Sequence, residues 1–108
     1  MDSATELNFD EIINSETLTI IDFSATWCMP CRMLKPIFER VADELVEYNF
    51  FNLDIDESED IAKRYRIFSV PTIVAFKNGK MLDSLVGLNS YDDICDFVRK
   101  CDLIEAKD

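Results

Sequence analysis

An α/β fold is predicted for this chain of 108 residues: a central mixed sheet of five strands with four helices on both faces. Three observations predict it. Strand-like and helix-like hydrophobic periods alternate along the chain. Residues 18–25 form a run that is apolar on both faces, as in a strand covered by helices on each side. An Asn78-Gly79 dipeptide separates two further strand-like runs, the strongest short-range signal for a two-residue hairpin.

The elements follow in order. Residues 4–7 read as a short edge strand. Asn8 is a candidate N-cap for a short helix that buries Phe9, Ile12 and Ile13. Residues 18–25 are the central strand. From Cys28 the pattern turns helical, with Leu34, Ile37, Phe38, Val41, Ala42 and Leu45 on one face. Pro36 falls inside this helix, where it removes a backbone donor and is expected to kink it. Residues 49–55 read as the next strand. Ser58 is a candidate cap for a helix running to about Arg66, with Ile61 and Tyr65 inward. Residues 72–77 and 80–86 form the hairpin. Ser90 caps a last helix whose core stripe is Ile94, Phe97, Val98 and Cys101. The order is βαβαβα followed by ββα, so parallel strands come first and the hairpin adds an antiparallel part. One domain over residues 1–108 is expected from the length.

The composition, 48% hydrophobic and 31% charged, is that of a globular protein. No run approaches the roughly 18 apolar residues of a membrane span. Residues 1–10 lack the basic segment of a signal peptide, so a cytoplasmic location is expected. Lys and Arg number 11 against 22 Asp and Glu, a net charge of −11. That balance disfavours nucleic acid and anionic membrane as partners, because both require a basic surface. The chain has no His, which removes Ser-His-Asp and Cys-His nucleophiles and His-ligated metals.

Four cysteines remain, at 28, 31, 95 and 101. Their lopsided spacing fits one reactive pair in a reducing compartment better than a disulfide framework. Cys28 and Cys31 flank Met29-Pro30 just after the central strand, at the start of a helix. Cα atoms three apart in a first helical turn are roughly 5 Å apart, within disulfide range. Helix N-termini leave N–H groups unpaired and favour an anion, so a Cys28 thiolate is expected with a pKa below that of free cysteine. Pro30 suits the first turn, where its missing N–H has no partner to lose. A bare Cys-x-x-Cys also fits half of a zinc site. However, Cys95 and Cys101 are six apart in a helix and point about 120° apart, so they do not complete a compact site.

Several segments carry a resemblance. Asp22-Phe23-Ser24-Ala25-Thr26-Trp27-Cys28-Met29-Pro30-Cys31-Arg32 resembles the active-site segment of the thioredoxin family. So do Pro36 within the following helix, Val70-Pro71-Thr72, Phe76-Lys77-Asn78-Gly79 and Val86-Gly87. The match covers nearly the whole chain in one register. It implies the thioredoxin fold and protein-disulfide reductase activity that maintains cell redox homeostasis. It implies no bound cofactor, with electrons coming from NADPH through a thioredoxin reductase. Disulfide-containing proteins such as peroxiredoxin, ribonucleotide reductase and methionine sulfoxide reductase are the implied substrates, and a monomer the implied state. By the same resemblance, Cys28 attacks and is the exposed thiol, while Cys31 is shielded and resolves the mixed disulfide.

Supporting residues follow. Asp22 is the one charge in an apolar strand. Burial would raise its pKa and suit it to accept the proton of Cys31; the plain alternative is a solvent-facing strand residue. Pro71 is implied to be a cis proline facing the dithiol, with the Val70 backbone pairing with the substrate chain. Trp27, Met29, Pro30, Val70 and Gly87 are implied to surround Cys28 as an apolar docking surface; Trp27 could instead be simple packing. Cys101 reads as a small core hydrophobe. Cys95 lies at the stripe's edge. Partial exposure there would open it to oxidation or a regulatory disulfide, although most such cysteines are inert.

Two departures from the family pattern stand out. Met29 occupies a position where glycine is usual, and is expected to alter substrate choice and make the couple somewhat less reducing. Asn52 stands where many members carry Lys, so the Asp22 carboxylate lacks that cation and its pKa should be the higher for it. An oxidase or isomerase of the same fold commonly carries His between the cysteines, where this chain has Pro30. A pure binding module on this fold would not need both cysteines.

Overall fold

The computed structural model describes residues 1–104. Residues 105–108, the end of the span assigned to the domain, lie outside the described residues. The described chain runs β1 (Asp2–Ser3), α1 (Phe9–Ile13), β2 (Thr19–Ser24), α2 (Met29–Glu44), β3 (Asn49–Asp54), α3 (Glu59–Arg64), β4 (Thr72–Lys77), β5 (Lys80–Val86) and α4 (Tyr91–Asp102). The strands form one sheet in the order β1-β3-β2-β4-β5. β1, β3 and β2 are parallel, and β4 runs antiparallel to both β2 and β5.

Strand period explains how the sheet is covered. Side chains alternate across a strand. Leu18 and Ile20 therefore join Leu34, Phe38 and Val41 of α2 and Ile94 and Val98 of α4 in one core. Ile21 and Phe23 face the other way, toward Phe9 and Ile13 of α1 and Ile61 of α3. β2 is buried along nearly its whole length because it sits between these two cores. Helices α2 and α4 thus lie over one face and α1 and α3 over the other.

The same alternation places Asp22 and Ser24 on the α2 face, in line with Ile20. On β3, Phe50 packs on the α2 side, while Phe51 and Leu53 pack on the other. Asn52 and Asp54 therefore share a face with Asp22. The register pairs Asp22 with Asn52 and Ser24 with Asp54. The apolar core on this face gives way to polar residues at the C-terminal ends of β2 and β3, next to the start of α2.

The hairpin between β4 and β5 turns at Asn78 and Gly79, with φ of 53° and 81°. Two successive left-handed residues match the right-handed strand twist, which is why Asn-Gly is favoured. α2 runs unbroken through Pro36.

Several local expectations are corrected. The edge strand is Asp2–Ser3, not residues 4–7. Ala4 still donates to the Asn52 carbonyl at 2.7 Å, but the chain then turns. Asn8 does not cap α1 with its side chain; its Oδ1 accepts from the Thr5 N–H at 2.7 Å and stabilises that turn instead. Ser58 likewise makes no side-chain cap bond. α3 ends at Arg64, because Arg66 takes a left-handed φ of 56°. Tyr65 still points inward and packs on the rings of Phe9 and Phe76. Cys95 is not at an exposed edge but only 3% exposed. The buried stripe of α4 is wider than its periodicity suggests, and takes in Ile94, Cys95, Phe97, Val98 and Cys101 between the sheet and α2.

Candidate active site

β2 ends at Ser24, and after three intervening residues the chain reaches Cys28, the N-cap of α2, in an extended conformation. The intervening turn is held twice. Cys28 N–H donates to the Ala25 carbonyl at 3.2 Å. The Arg32 guanidinium, one turn into the helix, reaches back to the Thr26 carbonyl with two bonds of 3.1 and 2.9 Å. Met29 and Pro30 are the first two helical residues, so the proline occupies a position whose N–H needs no partner.

Cys28 and Cys31 form a disulfide with Cα atoms 5.3 Å apart. The Cys31 N–H donates to Cys28 Sγ at 3.2 Å. Cys28 thus uses its sulfur as the cap acceptor that Ser or Asp oxygen supplies in other helices. An anionic sulfur there gains from the bond and from the helix dipole. The Cys31 sulfur has no equivalent position, since it lies within the helix.

The expected contrast in exposure is not found in the disulfide form. Cys28 is 5% exposed and Cys31 4%. Ala25, Ile55 and Val70 pack with the two cysteines, and the solvent-facing positions belong to the flanking Trp27 and Met29.

The second wall is the loop before β4. The Val70–Pro71 peptide is cis. The Val70 carbonyl oxygen lies 3.7 Å from Cys28 Sγ, facing the nucleophile position. Pro71 is buried, and its carbonyl accepts from the Gly87 N–H at 2.8 Å, which ties the end of β5 to the loop. Gly87 has a φ of 93°, a conformation that glycine adopts without strain. Trp27 is 66% exposed, which removes simple packing as its explanation, and its Nε1 donates to Asp56 Oδ2 at 2.8 Å. Met29 and Pro30 are exposed and Val70 is half-buried. Trp27, Met29 and Pro30 lie next to Cys28 in the chain and the Val70 carbonyl reaches its sulfur, whereas Gly87 is tied to Pro71.

Behind the pair, Asp22 is 3% exposed, and its Oδ1 has no hydrogen-bond partner. Burial lifts its pKa from the usual carboxylate range to about 7. Asp22 and Cys31 line one cleft of about 440 Å3, together with Ser24, Asn52, Asp54 and the cations Arg32 and Lys35. The carboxyl therefore faces the same solvent-connected space as the inner cysteine. Asn52 lies directly across the ladder, with its Oδ1 taken by the Ser3 hydroxyl at 3.2 Å.

Three roles carry no signal in the sequence pattern: Arg32 as the turn clamp, Asp56 as the Trp27 anchor and Lys35 as a cleft cation. Asp56 is 29 residues from its partner, beyond the reach of local spacing. Lys35 reads only as a polar position of an amphipathic helix, and the active-site resemblance includes Arg32 without giving it a role. Among the described residues, no group of three or more His, Cys, Asp or Glu side chains is placed to hold a metal.

A dithiol at a helix start, with a polarising N–H and a buried acid behind it, defines a thiol–disulfide oxidoreductase. The thioredoxin family model matches residues 1–100. Thioredoxin H2 of Arabidopsis thaliana is 42% identical over 82 residues, covering 76% of this chain and 62% of that protein. Thioredoxin-1 of Saccharomyces cerevisiae is 39% identical over 85 residues, covering 79% of this chain and 82% of that protein. Among solved structures, Plasmodium falciparum thioredoxin superposes with a TM-score of 0.86 at 32% identity, over 93% of this chain and 98% of that one. The chain belongs to the thioredoxin family, and Cys28–Cys31 is its redox-active disulfide.

Proposed function

We propose that this chain is a protein-disulfide reductase in which Cys28 attacks and Cys31 resolves. The observation that carries the asymmetry is the Cys31 N–H donating to Cys28 Sγ at the helix N-terminus. The thiolate is the nucleophile in exchange, and only Cys28 holds the position that stabilises one. The Cys28 thiolate attacks one sulfur of the substrate disulfide, forming a mixed disulfide and releasing the other as a thiolate. Cys31 then gives its proton to Asp22 and attacks Cys28 Sγ. The substrate leaves with both sulfurs reduced, and the two electrons are replaced by the Cys28–Cys31 bond. Burial that holds the Asp22 pKa near about 7 supports this role, because a base works best when its pKa is close to working pH. The Val70 backbone and Pro71, with Trp27, Met29, Pro30 and Gly87, form the surface on which the substrate chain lies.

The electrons reside on the two sulfurs, so the exchange requires no bound cofactor. NADPH, acting through a thioredoxin reductase, is the proposed source. Peroxiredoxin, ribonucleotide reductase and methionine sulfoxide reductase are proposed acceptors, with the chain acting as a monomer in the cytoplasm. Two further cysteines left as buried free thiols are compatible with that reducing setting. Cell fractionation checks the location, and a mitochondrial pool would overturn it.

Insulin reduction driven by dithiothreitol tests the activity. Turnover is expected in wild type and lost in Cys28→Ser, while Cys31→Ser should accumulate the mixed disulfide. Unchanged turnover in Cys28→Ser would favour a binding module built on this fold. An oxidase or isomerase is distinguished by the potential of the couple, and a poise more oxidising than glutathione would count for it.

A further inference from the structure

We propose that Phe68 is a specificity-determining residue of the exchange reaction, covering an apolar side chain on the substrate segment that carries the attacked cysteine. The inference rests on the reading of Cys28 as the attacking thiol.

Phe68 is 85% exposed, whereas Phe9, Phe23, Phe38, Phe76 and Phe97 are all buried. A single exposed apolar residue is ordinary on a protein surface. Phe68 differs in where it stands and how it is held. It lies in the loop between α3 and β4, two residues before Val70. Two residues span at most about 7 Å of chain, so the Phe68 Cα lies within that distance of the Val70 Cα. The Val70 carbonyl is in turn 3.7 Å from Cys28 Sγ.

The loop is pinned on both sides of the ring. Before it, the Ile67 N–H donates to the Ala62 carbonyl at 2.9 Å, and the Ile67 side chain packs into the core under α1 and α3. After it, the Thr72 hydroxyl donates to the Ser69 carbonyl at 2.6 Å. With Ile67 half-buried in the core and the following backbone tied down, the phenyl ring is presented outward by a fixed backbone. Little loop ordering is then left to be lost when a partner covers it.

The occupant follows from the chemistry. A sulfur attacked by Cys28 must come within bonding distance of that atom, so the chain bearing it must cross the Val70 wall. Residues flanking the attacked cysteine pass within reach of Phe68. Trp27, Met29 and Phe68 are all exposed large apolar side chains, the first two next to Cys28 in the chain and the third two residues before Val70. Full burial of a phenyl ring corresponds to roughly 10- to 100-fold in an equilibrium.

The test uses a panel of disulfide-bridged peptides that differ only in carrying Leu or Ser at single positions on either side of the attacked cysteine. kcat/KM is measured for wild type, Phe68→Ala and Phe68→Leu with an excess of chemical reductant. At one or more positions wild type should prefer Leu. Phe68→Ala should cut that Leu:Ser ratio about tenfold, mainly through KM, and Phe68→Leu should restore most of it. A ratio that is the same in wild type and Phe68→Ala at every position overturns the proposal. So does sedimentation showing a wild-type dimer that Phe68→Ala dissociates while the ratio stays flat, since the ring would then cover a second copy. Failure of wild type to reduce any peptide overturns the exchange reading as well, whereas turnover with a flat ratio counts against Phe68 alone.

Discussion

Asp22 sits in the middle of a buried strand with Oδ1 unpaired, and its carboxyl titrates near about 7. That placement has a cost for the fold whose sign can be worked out. A folded-state pKa raised above the unfolded value means that the folded chain holds the proton more tightly. The contribution is favourable and fully present below the unfolded value near 3.8, and is lost as pH rises toward about 7. A gap of about three units corresponds to on the order of 4 kcal/mol. Asp22→Asn should therefore stabilise the protein at pH 8 by up to that amount, with the gain shrinking toward pH 4. Urea unfolding across that range checks it, and a pH-independent gain would contradict it. The same variant should slow disulfide turnover tenfold or more, and remove a rise in rate centred near about 7. Met29 is 59% exposed, next to Cys28 in the chain. Glutathione equilibration should give Met29→Gly a more negative potential than wild type, and equal values would leave substrate contact as the only role of the methionine.

Among the helices, two N-termini use side-chain acceptors: Cys28 for α2 and Ser90 for α4. Ser90 Oγ accepts from the Asp93 N–H at 3.1 Å, and Asp92 and Asp93 add favourable charge to the first turn. Ser90→Ala should cost about 1 kcal/mol, read from the denaturant midpoint at constant slope. Ser58→Ala should cost less, because no cap bond is lost there. Ser90 and Ser58 look alike in the sequence, each a serine ahead of a helix with acidic residues in its first turn. The structure separates them by backbone angle and burial: Ser90 is exposed and extended at ψ 163°, whereas Ser58 is buried, at ψ 53°. The Asn-Gly hairpin was legible because its φ demands select the residues directly. The edge strand was not, because a two-residue strand has no period to detect.

Over the whole molecule the net charge is −11, and the described residues hold a single ion pair, Arg64 with Asp10 at 2.8 Å. Both partners are largely exposed, so the pair adds little. Self-repulsion then opposes the compact state, and salt screens it over a Debye length of about 10 Å at 0.1 M. Raising NaCl from about 0.02 to 0.2 M should raise Tm by a few degrees, and a fall would show that attractive pairs dominate instead.

The sequence by itself determined the order of elements, the mixed sheet, the central place of β2 and the redox pair. Each rests on short-range patterns: two-residue and 3.6-residue periods, a turn dipeptide and two cysteines one helical turn apart. The environment of each group was decided by tertiary structure alone. That Asp22 is buried and shares a cleft with Cys31 depends on α2 lying across the ends of β2 and β3. That Cys95 is sealed depends on α4 wedging against the sheet and α2. That Cys28 is as covered as Cys31 depends on Val70, brought 3.7 Å from its sulfur across 42 residues of chain. Local pattern specifies which way a side chain leaves its own element, but burial and pKa depend on what arrives from elsewhere in the chain.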